Sequence, residues 1–400
     1  MSETSGFAGD RAFMRNVYLL SAAQAIIGSQ QALIMAAGAL IGASFAPDPR
    51  LATLPTTAAL VGLALAAGPA VALVHRLGRR PAFMIGASVS VFTGLVATLG
   101  ILLGNFLVFS LALFFGGAAA AIGQQYRFAA ADAVPVEQKG RAISYVLAGG
   151  VVAGFSGPAL SYFGRTAIPG ADYAGSFLAM SGVALLGVFV LAQTRLPGAT
   201  SRAHRKGGRS LVAIARAPDV FVPIVAGMAS YGLMTFLMVA APLAMVLLCG
   251  HTNDDATFAI QWHIVAMFAP SFVTGTIIAR IGARMTTGIG LTLTLGCALV
   301  ALNGVSTWHF DLALILLGVG WNFGFIGATA LLAQGYRPED AAKAQALNEQ
   351  LVFGVMALAS IGSGIMLQTI GWQALNVLAI PVATGALALL AWGDWRDRDA

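Results

Sequence analysis

The side chains best able to do chemistry are the few charged residues that lie inside long apolar segments. Arg127 is the most informative, because a guanidinium keeps its charge and costs about 2.5–3.5 kcal/mol to place in hydrocarbon on insertion scales. Two interpretations stand side by side. Arg127 either reaches the polar interface and pairs with Asp132, about one helical turn later, or it binds an anion or gates a pathway.

Glu349 is the only acidic residue placed well within an apolar segment. Burial raises the pKa of a carboxyl and a neighbouring arginine lowers it, so a carboxyl that alternates between the two environments can take up and release a proton. Glu349 is therefore a candidate for proton coupling, or else a structural hydrogen-bonding group at a helix end. His263 also lies within an apolar segment and can titrate near neutral pH, although a lone histidine of this kind is more often a packing residue.

Signatures of enzymes and metal sites are absent from the sequence. It contains no Gly-x-x-x-x-Gly-Lys-Ser/Thr loop and no His-Glu-x-x-His pair, and its five histidines are scattered. The sequence predicts no catalytic residue, no metal and no cofactor. Its two cysteines, Cys249 and Cys297, predict no disulfide framework.

The elements that carry these residues are predicted to be membrane helices. Of the residues, 58% are hydrophobic and 10% are charged, whereas a soluble domain has about 25% charged residues. A helix needs about 20 apolar residues to cross a bilayer. Twelve such runs occur, at 16–45, 52–74, 82–103, 106–131, 142–163, 173–192, 219–248, 257–279, 285–306, 312–333, 344–368 and 372–392. The predicted fold class is an all-α membrane protein.

The basic residues predict an orientation rather than a nucleic-acid partner. If the N-terminus is inside, 19 of the 22 lysines and arginines fall on the cytoplasmic side, two fall outside and Arg127 lies within a span. Such an imbalance is the positive-inside signal. We expect a multi-pass protein of the inner membrane, surrounded by lipid, with both termini cytoplasmic and no removable signal peptide.

An arginine and glycine pattern occurs twice in the chain. The first copy contains Arg76, Gly78, Arg79 and Arg80, and the second contains Arg280, Gly282 and Arg284. The offset of 204 residues predicts a duplication in parallel orientation, with six spans in each half. The polar, basic stretch 194–218 is the predicted cytoplasmic linker between an N-terminal bundle, 1–193, and a C-terminal bundle, 219–400.

The first copy resembles the Gly-x-x-x-Asp-Arg-x-Gly-Arg-Arg/Lys pattern of the major facilitator superfamily, and the resemblance covers essentially the whole chain. Two positions depart, since Val71 replaces the glycine and His75 the aspartate. In relatives that aspartate helps to lock the cytoplasmic side, so His75 needs another partner, such as a helix C-terminus. The resemblance implies 12 transmembrane helices in two pseudo-symmetric six-helix bundles that work by alternating access. It also implies a cytoplasmic clasp made by Arg76, Gly78, Arg79, Arg80, Arg280 and Arg284.

The resemblance further implies a substrate site near the middle of the bilayer, walled mostly by spans 1, 4, 7 and 10. The candidate substrate-binding residues on these spans are Gln30, Gln31, Gln124, Arg127, Tyr231, Trp321 and Asn322. In that fold, spans 4 and 5 face spans 10 and 11 across the cytoplasmic gate, so a latch between Arg127 and Glu349 is a hypothesis. The candidate proton-coupling or gating residues are Glu349, Arg127, Asp132 and His263.

The predicted function is secondary transport of a small organic molecule. Span 5 carries Gly149, Gly150, Gly154 and Gly157-Pro158, and positions 150, 154 and 157 fall on one helical face, where small residues favour close packing of helices. They partly resemble the Gly-x-x-x-Gly-Pro-x-x-Gly-Gly motif of the drug/proton antiporter branch, so proton antiport leading to export is the first prediction. Proton symport of an organic anion, with Arg127 as counter-charge, is the second. A non-transporting membrane scaffold is an alternative of another class. We expect a monomer.

Overall fold

The computed structural model describes residues 3–134, 139–196, 209–337 and 339–399. Within these ranges the regular structure is helical throughout. The helices are α1 Glu3–Phe45, α2 Leu54–Leu77, α3 Arg79–Leu102, α4 Phe106–Gly123, α5 Tyr126–Asp132, α6 Lys139–Gly164, α7 Ala174–Ala192, α8 Leu211–Arg216, α9 Pro218–Leu243, α10 Asn253–Phe268, α11 Ser271–Ile281, α12 Ala283–Asn303, α13 Thr307–Gly335 and α14 Ala341–Asp399.

Ten helical segments in the described ranges are long and apolar enough to cross a membrane, and α4 with α5 counts among them as one span. The pair α10 and α11, which meet at a bend of 44°, forms an eleventh. The last helix, α14, contains Gly371 at φ 80° and ψ 174°, so it is two helices joined at a corner. Each part exceeds the roughly 20 residues that a span requires. The prediction of twelve transmembrane helices is therefore confirmed.

The repeated glycines explain part of the arginine and glycine pattern. Gly78 joins α2 to α3 at φ 85°, and Gly282 joins α11 to α12 at φ 84°. L-residues rarely adopt such positive φ values, because the Cβ atom collides with the backbone, whereas glycine does so without cost. Each copy of the pattern thus places its arginines around a corner that only glycine tolerates well.

The described residues form two compact units. The first comprises Met1–Pro47 and Ala58–Ser201. In its core the Phe109 and Phe177 rings meet edge to face at 5.4 Å. α1 and α6 pack closely, because a Cβ atom added at Gly149 would lie 2.5 Å from the Ser21 carbonyl oxygen. One at Gly157 would lie 2.8 Å from the Ser29 carbonyl oxygen. The face of α6 that packs on α1 therefore includes positions 149, 153 and 157, and the predicted packing role of Gly150 and Gly154, which are also buried, remains a prediction.

The second unit comprises Asp48–Thr57 and Arg202–Ala400. Residues 48–57 belong to it because the Thr57 hydroxyl lies 2.8 Å from the Ser360 hydroxyl, and both residues are buried. α12 and α13 approach closely, since a Cβ atom added at Gly320 would lie 2.9 Å from the Gly290 carbonyl oxygen. The boundaries 1–193 and 219–400 remain a prediction, and residues 197–208 of the predicted linker lie outside the described residues.

Candidate functional site

An aromatic cluster in the second unit brings together three helices. Tyr231 comes from α9, Phe268 ends α10, and Trp321 and Phe325 lie one turn apart on α13. The Tyr231 ring meets Trp321 edge to face at 5.1 Å and Phe325 at 4.8 Å. The Trp321 and Phe325 rings are nearly parallel, with 13° between their planes and 5.6 Å between centroids. Phe268 contacts Trp321 at 6.0 Å.

The cluster presents aromatic surface without being fully enclosed. Tyr231 and Phe325 are half-buried, whereas Trp321 is buried. The indole Nε1 of Trp321 has no hydrogen-bond acceptor within the part of the chain that the structure describes. Aromatic rings attract other rings through offset or edge-to-face contacts. The arrangement is therefore suited to a planar ring system that also carries a hydrogen-bonding group.

The structure assigns Tyr231 and Trp321 of the predicted set to this cluster, and it adds Phe268 and Phe325. The signal for Phe325 was available in the sequence, because positions i and i+4 lie on the same face of a helix. Phe268 carried no comparable signal, because its position depends on the bend between α10 and α11, which sequence periodicity does not show.

The side chain of Asn322 is fully buried and makes hydrogen bonds within the second unit. The Nδ2 atom donates to the Met267 carbonyl oxygen at 2.6 Å and to the Ser271 hydroxyl at 2.7 Å. Its Oδ1 atom accepts from the Thr274 hydroxyl at 2.6 Å. Both hydrogens of the amide are thus donated to groups of the protein itself, and the role of Asn322 in substrate binding remains a prediction.

The three predicted glutamines of the first unit differ in their exposure. Gln30 is 1% exposed, and neither atom of its amide has a hydrogen-bond partner among the described residues. It borders a small cavity with Ser90 and Tyr126, which has room for about one water molecule. Gln31 is half-buried, and Gln124 is exposed at the turn after α4. Their roles in substrate binding remain predictions.

The charged candidates divide between the two units. Arg127, on α5, is half-buried, and its guanidinium carbon lies 4.9 Å from the centroid of the Phe128 ring. Asp132, the proposed local partner of Arg127, forms an ion pair with Arg79. Glu349 lies on an exposed face of α14. The latch between Arg127 and Glu349 remains a prediction.

His263 is enclosed by the second unit. The residue is fully buried, and its Nδ1 atom lies 2.7 Å from the Leu314 carbonyl oxygen, to which it can only donate. This geometry agrees with a packing role, in which the histidine ties α10 to α13. Its role in proton coupling remains a prediction.

The basic pattern is built differently in its two copies. In the first, Arg79 is 7% exposed and holds Asp132, while Arg76, Arg80 and His75 are exposed. In the second, Arg280 is exposed and Arg284 is half-buried. The position equivalent to Arg79 is Ala283, so the buried ion pair is not repeated there. The role of both loops as a cytoplasmic clasp remains a prediction.

A second ion pair fixes the end of the linker to the C-terminal unit. The fully buried Asp340 accepts from the Arg209 backbone N–H at 2.8 Å and from its Nε at 2.7 Å. The Lys343 ammonium donates to the Arg209 carbonyl oxygen at 2.9 Å. The hydrogen bond from the Arg209 side chain holds the pKa of Asp340 below its usual range. Sequence reasoning missed this pair because its members are 131 residues apart.

Comparisons with known proteins agree with this architecture. Residues 20–359 match the family model of the Major Facilitator Superfamily. The chain is 43% identical over 378 residues to the riboflavin transporter RfnT of Brucella anthropi, covering 94% of this chain and 95% of that protein. It is 26% identical over 400 residues to the MFS-type transporter YdeG of Bacillus subtilis, covering 96% and 93%.

Two solved structures share the fold. The xylose transporter XylE from E. coli superposes with a TM-score of 0.70 at 15% identity, covering 93% of this chain and 98% of that one. The transporter FucP superposes with a TM-score of 0.62 at 14% identity, covering 95% and 98%. These likenesses concern the fold alone.

A multi-pass helical membrane protein with this similarity over nearly its whole length is a secondary transporter. The chain belongs to the Major Facilitator Superfamily. It is therefore not an enzyme, and it moves a small molecule across a lipid bilayer. The alternative of a non-transporting scaffold is set aside by the same finding.

Proposed function

We propose that this transporter carries riboflavin, or a close flavin with the same three-ring system. The single observation that carries the proposal is the 43% identity to the riboflavin transporter RfnT over 94% of this chain. Riboflavin combines a planar, fused heteroaromatic ring with a polyol chain. A site for it needs aromatic surface for the ring and hydrogen-bonding groups for the ring edge and the polyol.

The aromatic cluster supports this proposal. Phe325 and Tyr231 offer partly exposed aromatic surface beside the buried Trp321. Contacts between such rings and a ligand ring contribute about 0.5–1.5 kcal/mol beyond the burial of area. The Trp321 indole N–H is a donor without an acceptor among the described residues, so a small shift of that ring provides a hydrogen bond to a carbonyl of the flavin.

A neutral substrate makes symport of an organic anion the less favoured of the two coupling schemes. That scheme uses Arg127 as the counter-charge of the substrate, whereas riboflavin carries no charge near neutral pH and needs no counter-charge. We therefore keep proton antiport, with Glu349 as the proton carrier, as the proposed coupling. We also propose an inner-membrane location with both termini cytoplasmic, which the distribution of lysines and arginines supports.

The substrate is tested first by binding and then by transport. Riboflavin is fluorescent, and stacking on aromatic side chains quenches it, so titration of the purified protein measures the Kd. Proteoliposomes loaded with riboflavin then report its movement. Absence of saturable binding and absence of transport in both directions would refute riboflavin as the substrate.

The coupling is tested by imposing a pH gradient of either sign on the same proteoliposomes. Antiport predicts that riboflavin moves against the direction of proton flow, whereas symport predicts that it moves with it. Glu349→Gln should abolish the response to the gradient while leaving riboflavin exchange between equal concentrations intact. Glu339→Gln, at an exposed residue of the same unit, is the matched control. A gradient response that survives Glu349→Gln would remove Glu349 from the mechanism.

A further inference from the structure

The break between α10 and α11 lies directly beside the aromatic cluster. α10 ends at Phe268, α11 begins at Ser271, and the two helices meet at 44°. Pro270 has no backbone N–H to donate to the Ala266 carbonyl four residues earlier, so the regular hydrogen bonding of α10 is interrupted at that point. Because the Phe268 ring contacts Trp321, the geometry of the break determines where one wall of the cluster lies.

Asn322 ties both sides of this break to α13. Its Nδ2 atom donates to Met267, before the break, and to Ser271, after it. Its Oδ1 atom accepts from Thr274, whose hydroxyl also lies 2.8 Å from the Pro270 carbonyl oxygen. The Met267 carbonyl can only accept, which fixes which end of the amide is the nitrogen. One buried side chain therefore supplies a donor to a backbone carbonyl before the bend and joins that carbonyl to two hydroxyl groups after it.

We infer that Asn322 is a positioning residue that holds the break in one geometry and links the aromatic cluster to α11. Asn322 follows Trp321 directly in α13, so a displacement of Trp321 moves the amide that holds α11. The far end of α11 carries Arg280 and leads into Gly282, in the second copy of the basic pattern. The substrate part of this inference rests on the proposed function, because it takes the cluster to be the site of the flavin ring.

The physical argument is one of rigidity. Movement of Trp321 reaches α11 only if α10 and α11 cannot bend independently of each other at the break. Hydrogen bonds across the break remove that freedom. A ligand shifts a conformational equilibrium only as far as its contacts differ between the two states. If the amide is removed, the substrate ring keeps its contacts with Tyr231 and Phe325, but a displacement of Trp321 no longer moves α11.

The test compares Asn322→Leu with Asn376→Leu. Asn376 is also fully buried, but its Nδ2 donates to the Trp372 carbonyl oxygen within its own helix at 2.9 Å. Three measurements are made: the riboflavin Kd by fluorescence, the transport rate in proteoliposomes, and hydrogen–deuterium exchange of residues 269–281. For Asn322→Leu we expect a Kd within about threefold of the wild type and a transport rate lowered roughly tenfold, a size typical of coupling between sites. Exchange in 269–281 should be faster even without riboflavin.

The control should leave the ratio of transport to binding and the exchange of 269–281 unchanged. If Asn322→Leu behaves like the control in both measurements, the inference is wrong. Should that variant fail to fold, Thr274→Val removes one bond of the network with little change in volume and should shift both readouts in the same direction. A wild-type protein that does not bind riboflavin refutes the proposed function, whereas the ligand-free exchange still decides the role of Asn322.

Discussion

Replacement of Phe325 by leucine tests whether the aromatic cluster binds the substrate ring. The side chain keeps its apolar character but loses the ring that meets Tyr231 at 4.8 Å and lies nearly parallel to Trp321. A ring contact is worth about 0.5–1.5 kcal/mol beyond area burial. Since about 1.4 kcal/mol corresponds to a tenfold change in Kd, we expect the riboflavin Kd to rise by roughly 2- to 13-fold.

The assay is fluorescence titration of purified protein, because it reports binding separately from conformational steps. Phe325→Tyr keeps the ring and should stay near the wild-type Kd. Phe272→Leu makes the same chemical change at an exposed position of α11 and is the matched control. An apparent unfolding temperature for each variant shows whether a loss of affinity comes with a loss of the internal contacts between Phe325 and its neighbours.

A second ligand sharpens the outcome. Lumichrome retains the fused ring but lacks the polyol chain, so Phe325→Leu should weaken riboflavin and lumichrome by the same factor. If riboflavin alone is weakened, Phe325 contacts the polyol and the assignment of the ring to this cluster is incorrect. If neither Kd changes while Phe325→Leu remains folded, the cluster is a packing feature of the second unit and the substrate ring binds elsewhere.

Three further predictions concern stability and are checked by apparent unfolding temperatures in one detergent. Asp132→Ala leaves Arg79 buried without its counter-charge and should cost toward the lower end of about 3–5 kcal/mol, since Asp132 is 34% exposed; the added change Arg79→Met should restore part of the loss. Gly117→Ala should destabilise by about 1–3 kcal/mol, because its Cβ would overlap the backbone of α2, whereas Gly182→Ala, with open space, should be nearly neutral. The carboxyl of Asp340 has a folded-state pKa below its unfolded value, so its contribution is present near neutral pH and is lost as the pH falls through the acid range. Asp340→Asn should therefore flatten the decline of the unfolding temperature between about pH 7 and about pH 4, and an unchanged slope would contradict this assignment.

The number of spans was predictable because hydrocarbon imposes a strict minimum length on uncharged helices. Where a span is irregular, the same reasoning is less informative. Periodicity does not distinguish a straight helix from the bent pair α10 and α11, since both are apolar. The corner at Gly371 joins two spans through a very short connection, which the polar residues Gln368, Thr369 and Gln373 mark in the sequence, and its sharpness comes from the positive φ of that glycine.

Some residues of the candidate site could be predicted from the sequence, but the contacts among them could not. Tyr231 and Trp321 could be named because they lie at mid-depth on spans that this fold places around its substrate. Their relation to Phe268 and Asn322 depends on contacts of α13 with α10 and α11, in which the bonded residues are 55 and 51 positions apart in the sequence. Asn322 is an example: a polar residue in the middle of a span must form hydrogen bonds, but the sequence does not show whether its partner is a ligand or the protein's own backbone.

The ion pair between Arg79 and Asp132 in the first unit is not repeated at the corresponding corner of the second unit, where Ala283 stands 204 residues after Arg79. The second unit instead buries the Asp340 carboxylate against Arg209 from the connecting segment. Because Asp340 pairs with Arg209 of the predicted linker, residues 209–217 are held in the second unit. The length of chain that can vary between the halves therefore ends before Arg209, and any movement of the second unit carries this end of the linker with it.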